Sequence, residues 1–530
     1  MQRTISFAYR ACLLLGGGLL SFEAMAEQDM RCEASACLHR GQVIEAKTTL
    51  RLDPDELSKI LTSSATGRQL LQLAGAPRCG VGVVYYRYRT VGGAGEPTSS
   101  SGALLLPRGS RECTHGRRLL LYAHGTTTYK NFNLADLTQR DPANTDGAIE
   151  GLSVAALYAA QGYIVVASNY AGYKGSTLPY HPYLNAEQQS ADVIDSWRAA
   201  RTIIGQARPA SQAANDAELF VTGYSQGGFV ALATHRALQA EGVRVTASAP
   251  GSGPYAIAAM ADAVIEGEVD LGSTVFTTLS VTSYQRAYGN VYRSPEEVFE
   301  RMYAPGSEDL LPTKLSLDTL VRKGRLPGDH LFSAQPHAPQ YAGLTPPTAP
   351  PQVPSALTAL FALGFGNANL VRNTYRLALL QDAFANPDGA FPASSASMAP
   401  AAHPAQPLRE AFRRNDLRNW IPRAPVQLCG GQADPTVFFF NARIQQAYWQ
   451  NAGVMPGLTS VLDVDSPVSG GNDPYARIKD GFAQAKASVA AKAVAAGAQD
   501  GGSITVLEAY HGDLVAPFCL LAARAFFARF

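Results

Sequence analysis

The chain has 530 residues, of which 46% are hydrophobic and 16% are charged, and its formal net charge is +1 at pH 7. This near-neutral balance, without a run of basic residues, argues against a nucleic-acid-binding protein. The sequence has neither a CxxC nor an HExxH spacing, so it predicts no metal site. Low charge with high apolar content is typical of a secreted enzyme with a large core.

The N-terminus has the pattern of an export signal. Arg3 and Arg10 form a positive segment before a short apolar run over residues 12–20, and a small-x-small cleavage site ends at Ala26. The run is shorter than the ~20 residues that a membrane span needs, and no later stretch reads as apolar enough to span a bilayer. We therefore expect cleavage near Ala26, a mature chain without a transmembrane segment, and a secreted or periplasmic protein.

Six cysteines remain after the predicted signal peptide. An even number in an exported protein favours three disulfide bonds, although the count alone leaves the pairing open. Position along the chain suggests one pairing: Cys32 with Cys37, Cys79 with Cys113, and Cys429 with Cys519.

The predicted elements begin with an N-terminal extension over 27–78, in which a helix starts near Asp53, and then alternate. Predicted strands cover 81–88, 102–106, 119–123, 163–167, 218–222, 243–247, 424–429 and 504–510. Predicted helices cover 149–161, 191–204, 438–448 and 514–527, and a further helix starts at 229. Because apolar strands alternate with helices, we expect an α/β fold, with a mainly parallel central sheet and helices on both faces.

Two long segments interrupt the alternation. Residues 254–420 are Ala- and Leu-rich, include a Pro-rich stretch over 335–354, and separate two core strands. We interpret them as a large, mainly helical cap whose residues Leu360, Phe361 and Phe365 wall an apolar pocket. The predicted domains are the signal peptide (1–26), the extension (27–78), the first core part (79–253), the cap (254–420) and the second core part (421–530, with an insertion over 454–502).

The sequence GYSQGG, residues 223–228, is the most informative motif. A predicted strand precedes it and a predicted helix follows it, which is the context of the nucleophile elbow of an α/β-hydrolase. Glycines suit this turn because a Cβ would clash with the crowded backbone. The motif therefore predicts Ser225 as a catalytic nucleophile at the positive end of the following helix.

An acid and a histidine are expected to follow the serine in the chain, in that order. Asp434 lies in a loop after the strand ending at 429, and His511 follows the predicted strand over 504–510. Asp463 and Asp465 are the alternative acids, because they lie near another possible strand. His235, on the helix after the elbow, is expected to pack or to face solvent.

The sequence His124-Gly125-Thr126 follows a predicted strand and has the composition of an oxyanion loop. One N–H group is expected from Thr126, with Gly125 as the alternative, and the other from Gln226, directly after the nucleophile.

With these parts together, the chain resembles the secretory lipase family of the α/β-hydrolase superfamily, the family of Candida antarctica lipase A. The resemblance rests on residues 124–127 (HGTT), 157–173 (LYAAQGYIVVASNYAGY), the GYSQGG motif, and the loops at Asp434 and His511. It implies a capped serine lipase or esterase without a cofactor. The extension, the Pro-rich part of the cap and the 454–502 insertion depart from the family pattern.

The sequence thus predicts an exported serine hydrolase that cleaves small-molecule or lipid-like carboxylic esters through an acyl-enzyme. One alternative is a secreted serine peptidase of the same fold. It would need acidic residues in the cap to bind a free amino group, and Glu266, Glu268 and Asp270 are the weak candidates, more typical of a solvated helix face. The other alternative, a non-catalytic binding protein, is disfavoured because no triad member is missing.

Overall fold

The computed structural model describes residues 39–114, 118–207, 218–334, 344, 357–392 and 394–530. The predicted signal peptide, Cys32, Cys37 and the Pro-rich stretch over 335–354, apart from residue 344, lie outside the described residues, so the predictions about them stay predictions.

A nine-stranded sheet forms the centre of the fold. Its strands are β1 (Val43–Leu52), β2 (Gly80–Val91), β3 (Pro97–Arg108), β4 (Arg118–Ala123), β5 (Ile164–Ser168), β6 (Glu218–Tyr224), β7 (Ala247–Gly251), β10 (Val426–Gly430) and β11 (Thr459–Asp463), while β8 (Phe332–Ser333) and β9 (Phe365–Gly366) form a separate pair. The spatial order of the sheet is β1-β2-β3-β5-β4-β6-β7-β10-β11. Strands β1 to β3 pair antiparallel, β3 pairs antiparallel with β5, and the strands from β5 to β11 in this order are parallel.

Two groups of helices pack around this sheet, as the predicted α/β class requires. The described α-helices are α1 (Pro54–Thr62), α2 (Ala65–Ala74), α3 (Arg111–Thr114), α4 (Thr145–Leu157), α5 (Ala186–Ala207), α6 (Gln226–Ala240), α7 (Ile257–Glu266), α8 (Ser273–Tyr288), α9 (Leu317–Arg322), α10 (Thr358–Phe361), α11 (Asn373–Ala385), α12 (Pro407–Asn415), α13 (Phe440–Asn451), α14 (Ala476–Ala495), α15 (Ser503–Ala509) and α16 (Ala516–Phe527). In one group α5 packs against α6, and in the other α2, α4 and α16 pack against one another.

The N-terminal extension contributes an edge strand that the sequence did not reveal. Strand β1 pairs antiparallel with β2, from Val43 opposite Tyr88 to Leu52 opposite Val81. Most of its central side chains are exposed, so it lacks the apolar alternation that marks a half-buried strand. The expected helix start is present, because Asp53 accepts the Glu56 amide at 2.8 Å and Glu56 accepts the Asp53 amide at 2.8 Å.

Two predicted strands near the site are wrong in position or type. The strand expected over 243–247 begins only at Ala247 and runs to Gly251. The segment 504–510, expected as the last strand, is mostly helix α15, which continues through a π-helical turn (Tyr510–Val515) into α16. The Asp500 carboxylate accepts the amides of Gly502 and Ile504 at 3.0 and 2.7 Å. This local capping overrides the β propensity of the Ile-Thr-Val run.

The continuous helix Ser503–Phe527 also corrects an expectation about membrane spans. Within the described residues, it is the one helix that is long and apolar enough to cross a bilayer. In its most apolar stretch, 33% of the residues are buried. The prediction that no later stretch reaches this level is therefore wrong. The helix is nevertheless tied to the sheet, because Cys519 is bonded to Cys429 of β10 and Phe518 is buried.

Between β7 and β10 the chain forms helices α7 to α12 and the β8–β9 pair. Two buried arginines link its segments. Arg409 pairs with Asp262 and Asp382, and Arg418 pairs with Asp388 and Asp416, all at 2.7–2.8 Å. Each buried carboxylate thus has a cationic partner, which offsets the cost of removing its charge from water.

Two of the three predicted disulfide bonds lie within the described residues, and both are present. Cys79 is bonded to Cys113, and Cys429 to Cys519, which are 34 and 90 residues apart. Disulfide bonds of this kind are typical of proteins from oxidising compartments.

We expect that removing Cys429 and Cys519 together will lower the free energy of unfolding by about 2–5 kcal/mol. The matched pair of substitutions at Cys79 and Cys113 should cost about 1 kcal/mol less, because the closed loop is shorter. Urea unfolding of both double Ala variants under oxidising conditions measures the difference. Detection of four free thiols for these residues in the unreduced, denatured wild type would contradict the assignment.

Candidate active site

Ser225 lies in the sharp turn between β6 and α6. Its φ of 59° places it in the left-handed region, which a non-glycine residue adopts only at a cost. A Cβ on Gly223 would lie 2.4 Å from the Ala123 carbonyl oxygen, and one on Gly227 would lie 2.0 Å from the same atom. Only glycine fits at both positions, so the end of β4 and the start of α6 approach each other closely.

Ser225, His511 and Asp434 are in direct contact. The Ser225 Oγ lies 2.8 Å from His511 Nε2, and His511 Nδ1 lies 2.8 Å from the Asp434 Oδ2. A carboxylate can only accept, so Nδ1 carries the proton, and the lone pair of Nε2 faces the serine hydroxyl. The other Asp434 oxygen accepts the amides of Thr436 and Val437, each at 3.0 Å. The arrangement can therefore withdraw a proton from Ser225 and hold an imidazolium beside a fixed carboxylate.

The two alternative acids have other partners. Asp463 accepts the amides of Gln432 and Asp465 at 3.2 and 2.9 Å. Asp465 accepts the Tyr510 hydroxyl at 2.6 Å and pairs with Lys486. These contacts hold the loop before Asp434 and the turn before His511, while neither acid contacts the imidazole among the described hydrogen bonds.

Tyr224 is a supporting residue that sequence reasoning missed. Its hydroxyl donates to the His511 carbonyl oxygen at 2.6 Å, and its ring lies 5.0 Å from the imidazole, between centroids. It occupies the variable position of the Gly-x-Ser-x-Gly motif, so the motif itself carries no signal for it. The contact joins the elbow directly to the π-helical turn that carries His511.

The loop over residues 124–126 lies beside Ser225. A Cβ on Gly125 would lie 3.8 Å from the Ser225 Cβ. Among the described residues, no protein group accepts a hydrogen bond from the amide of Thr126 or of Gln226. The Gly125 amide, in contrast, donates to Glu150 at 3.2 Å. Thr126 and Gln226 therefore keep free donors close to Ser225, and the alternative donor Gly125 is engaged.

The Gln226 side chain is held by a buried histidine that the sequence did not single out. Its Nε2 lies 2.7 Å from His181 Nε2, and His181 Nδ1 lies 2.9 Å from the Ala171 carbonyl oxygen. An amide nitrogen only donates, so His181 accepts at Nε2 and donates at Nδ1. Burial lowers the pKa of His181 to about 3, which keeps this ring neutral and the contact intact.

His124 is also buried and serves the loop rather than the chemistry. Its Nδ1 lies 2.6 Å from the Gly125 carbonyl oxygen, and its ring stacks on Tyr170 at 4.0 Å between centroids. Burial lowers its pKa to about 4. His235, expected to pack or to face solvent, is buried, and its Nδ1 lies 2.7 Å from the Ser248 Oγ.

Glu150 of α4 contacts the loop over residues 124–126 and was missed by the sequence analysis. Its Oε1 accepts both the Gly125 amide and the Tyr122 hydroxyl, the latter at 2.7 Å. Burial raises the pKa of this carboxyl to about 7, although the two hydrogen bonds oppose the rise. Glu150 thus holds the loop over residues 124–126 through the amide of Gly125.

A pocket opens onto Ser225 and Gln226. Its wall comes mostly from the segment between β7 and β10 and is largely apolar, including Met260, Phe276, Phe332, Leu379 and Phe412. The expected apolar pocket is therefore present, but Leu360, Phe361 and Phe365 are not among its described lining residues. Phe361 packs on Phe438, and Phe365 packs on Phe332 and Arg376.

The acidic residues proposed for a solvated helix face are mostly buried, which corrects that interpretation. Glu268 is 1% exposed and Asp270 is 6% exposed, while Glu266 is half-buried. Both buried acids follow the end of α7, where the chain turns inward before α8 begins. Asp270 lines the same pocket as Ser225.

The geometry can be compared with known proteins. No protein-family model and no curated protein sequence matches the chain significantly. Among solved structures, the rice cell wall degrading esterase LipA from Xanthomonas oryzae is similar over 89% of this chain and 98% of that chain, with 25% sequence identity and a TM-score of 0.59. A Legionella pneumophila protein is similar over 92% and 97% of the two chains, with 17% identity and a TM-score of 0.59.

Candida antarctica lipase A is similar over 80% of this chain and 76% of that chain, with 13% identity and a TM-score of 0.46. The likeness to LipA, together with the mixed nine-stranded sheet, confirms the predicted α/β-hydrolase fold of the lipase and esterase type. The chain is thus similar to carboxylic ester hydrolases.

We expect the contribution of Glu150 to stability to fall as pH rises. The unfolded chain releases this proton near pH 4.5 and the folded protein near 7, so the folded state binds more protons between these values. The free energy of unfolding of the wild type, relative to Glu150→Gln, should therefore fall by about 1–2 kcal/mol between pH 5 and 8. Urea unfolding at both pH values measures it.

The exposed Glu112 provides the matched control, since Glu112→Gln should give the same difference from wild type at both pH values. A difference for Glu150→Gln that stays constant, or that grows with pH, would show that the carboxyl ionises normally.

Proposed function

We propose that the protein is a serine hydrolase of carboxylic esters, with Ser225, His511 and Asp434 as its catalytic triad. The observation that carries the proposal is the unbroken chain of two 2.8 Å contacts, from the Ser225 Oγ to His511 and from His511 to Asp434. The similarity to the esterase LipA supports the same reaction class independently of these contacts.

The reaction proceeds in two half-reactions. Ser225 attacks the ester carbonyl while His511 Nε2 takes its proton, and Asp434 stabilises the resulting imidazolium. The amides of Thr126 and Gln226 donate to the developing oxyanion. His511 then gives the proton to the leaving alcohol, which leaves an acyl group on Ser225. Water, deprotonated by His511, hydrolyses this acyl-enzyme and releases the carboxylic acid.

An ester with an apolar portion suits the pocket beside Ser225. Its wall is dominated by aliphatic and aromatic side chains, which bind hydrocarbon by removing it from water. The intact triad disfavours a purely binding function. A peptidase of the same fold remains the second candidate, because one acidic residue, Asp270, lines the pocket where a free amino group could bind.

The protein is proposed to act outside the cytoplasm, after removal of its signal peptide near Ala26. The two disulfide bonds support this location, because such bonds persist in oxidising compartments.

The nucleophile can be tested directly. Ser225→Ala should lower kcat/KM for p-nitrophenyl butyrate by about 10⁴-fold or more, because no other group can form the acyl-enzyme. A fluorophosphonate probe should label Ser225 of the wild type alone, as read by peptide mass spectrometry. Turnover near the wild-type level in the alanine variant, with Ser225 unlabelled, would exclude this nucleophile.

The acid has a matched control in Asp465, which accepts the hydroxyl of Tyr510, the residue before His511. Asp434→Asn should lower kcat by several orders of magnitude, as loss of the correct histidine tautomer does in related triads. Asp465→Asn should cost far less, because it leaves the imidazole in place. The reverse order of the two effects would show that the acid is misassigned.

Pocket substitutions should change ester preference without impairing the triad. Leu379 is buried and lines the pocket, whereas Leu363 of the same segment is 52% exposed and lies outside its described lining. Leu379→Gln should lower kcat/KM for p-nitrophenyl octanoate about tenfold more than for the acetate, because buried apolar contact is lost. Leu363→Gln should leave the ratio unchanged, and equal losses for both esters with Leu379→Gln would mean that Leu379 only supports the fold.

A further inference from the structure

Asp270 places a single carboxyl group in the pocket beside Ser225. It lies in the short connection between α7 and α8, is 6% exposed, and accepts the Ser273 hydroxyl through Oδ1 at 2.6 Å. The next residue, Leu271, donates its amide to the Pro435 carbonyl oxygen at 3.0 Å. Because Pro435 directly follows Asp434, this contact fixes the connection against the loop of the catalytic acid.

The other buried aspartates between β7 and β10 all have cationic partners. Asp262 and Asp382 pair with Arg409, while Asp388 and Asp416 pair with Arg418. Asp270 has no ion pair with any described residue. Removing a carboxylate from water without a cationic partner costs free energy. We therefore expect the cationic partner of Asp270 to enter the pocket from outside.

The rest of the pocket can accommodate the hydrocarbon around such a cation. Asp270 is the one charged residue among the described lining residues, which are otherwise apolar or neutral. Two of them, Tyr183 and Phe276, stack at 6.4 Å between ring centroids with an interplanar angle of 12°. Aromatic faces beside a carboxylate attract an ammonium group by adding cation–π interactions to the ion pair.

We propose that Asp270 is a specificity-determining residue that binds a protonated amino group of the substrate, while Ser225 attacks the ester of the same molecule. The inference rests on the proposed ester hydrolysis and narrows its substrate class to esters that carry an ammonium group on an otherwise apolar skeleton. The ammonium N–H groups donate to the Asp270 oxygen that Ser273 leaves free.

The electrostatics around Asp270 make this recognition dependent on pH. Burial raises the pKa of its carboxyl to about 7, the charge of Asp434 raises it further, and His511 lowers it. Tyr183 and Ser273 are the other polar groups that face it. A bound ammonium group would favour the ionised form, so binding should strengthen as pH rises through 7.

Competition between a cation and its neutral analogue tests the proposal. Hexylammonium and 1-hexanol have the same alkyl chain, and each is assayed as an inhibitor of p-nitrophenyl butyrate hydrolysis. The wild type should bind hexylammonium about tenfold or more tightly than 1-hexanol at pH 8, since a hydrogen bond to an unneutralised charge is a strong interaction. The ratio of the affinity for hexylammonium to the affinity for 1-hexanol should be smaller at pH 6. In Asp270→Asn this affinity ratio should be close to one at both pH values.

Two further variants separate a specific effect from a general one. Asp329→Asn removes the charge of an exposed aspartate in the same segment between β7 and β10. It should leave unchanged both the affinity ratio and the rate of p-nitrophenyl butyrate hydrolysis. Ser273→Ala keeps the Asp270 carboxylate while removing its hydrogen bond, so the preference for hexylammonium should persist even if Asp270→Asn folds poorly. Loss of the preference in Asp329→Asn, or its absence in the wild type, would overturn the proposal.

Binding can also be measured without turnover, from the increase in the Tm of the wild type when each compound is added. A wild type that hydrolyses no ester but is stabilised by hexylammonium more than by 1-hexanol would refute the proposed function and retain the ammonium site. Equal stabilisation by both compounds, lost together in Asp270→Asn, would mean that a hydroxyl group is the ligand and would refute the ammonium assignment.

Discussion

The close approach of two backbones determines where the site can form. The carbonyl oxygen of Ala123, at the end of β4, lies where a Cβ of Gly223 or Gly227 would have to be. This contact brings the start of α6 against β4 and compresses the connection into one residue, Ser225, with a positive φ. The same approach brings Gly125, two residues after Ala123, next to Ser225. Ser225 and the loop over residues 124–126 are therefore positioned by one packing contact.

A disulfide bond and several hydrogen bonds position His511 and Asp434 next to Ser225. The Cys429–Cys519 bond ties the helix that carries His511 to β10, which leads into the Asp434 loop. Tyr510 donates to Asp465 and accepts the Ala433 amide at 3.2 Å, so the loop and the helix share one hydrogen-bonded network. Tyr224 completes the link by donating from the elbow to the His511 carbonyl oxygen. Residues 286 positions apart in sequence thus meet with hydrogen-bond geometry.

The sequence predicted the parts of the site that depend on local patterns. The elbow could be recognised because its crowded turn requires glycines around Ser225, and because a predicted strand precedes the turn and a predicted helix follows it. Asp434 was expected because an acid is needed just after a core strand, and His511 was expected in the right place although the segment before it is helix rather than strand. Glu150, His181 and Tyr224 could not be predicted, because they act through contacts between distant segments. Strand β1 was missed because its mostly exposed side chains lack apolar alternation, although its backbone pairs with β2 over most of its length.

The charges around His511 explain why an unpaired Asp270 has consequences for the chemistry. Asp434 contacts the imidazole, Asp270 interacts electrostatically with it, and Glu150 accepts the amide of Gly125 in the loop over residues 124–126. In the proposed mechanism, negative charge near His511 would stabilise the imidazolium that forms during attack, but the same charge would oppose the oxyanion that forms with it. Glu150 limits this conflict because its carboxyl is hydrogen-bonded by Tyr122 and Gly125 and has a pKa near neutrality. At Asp270 an ammonium group of a bound substrate would neutralise the opposing charge as the oxyanion develops, so that substrate binding and transition-state stabilisation would depend on the same ion pair.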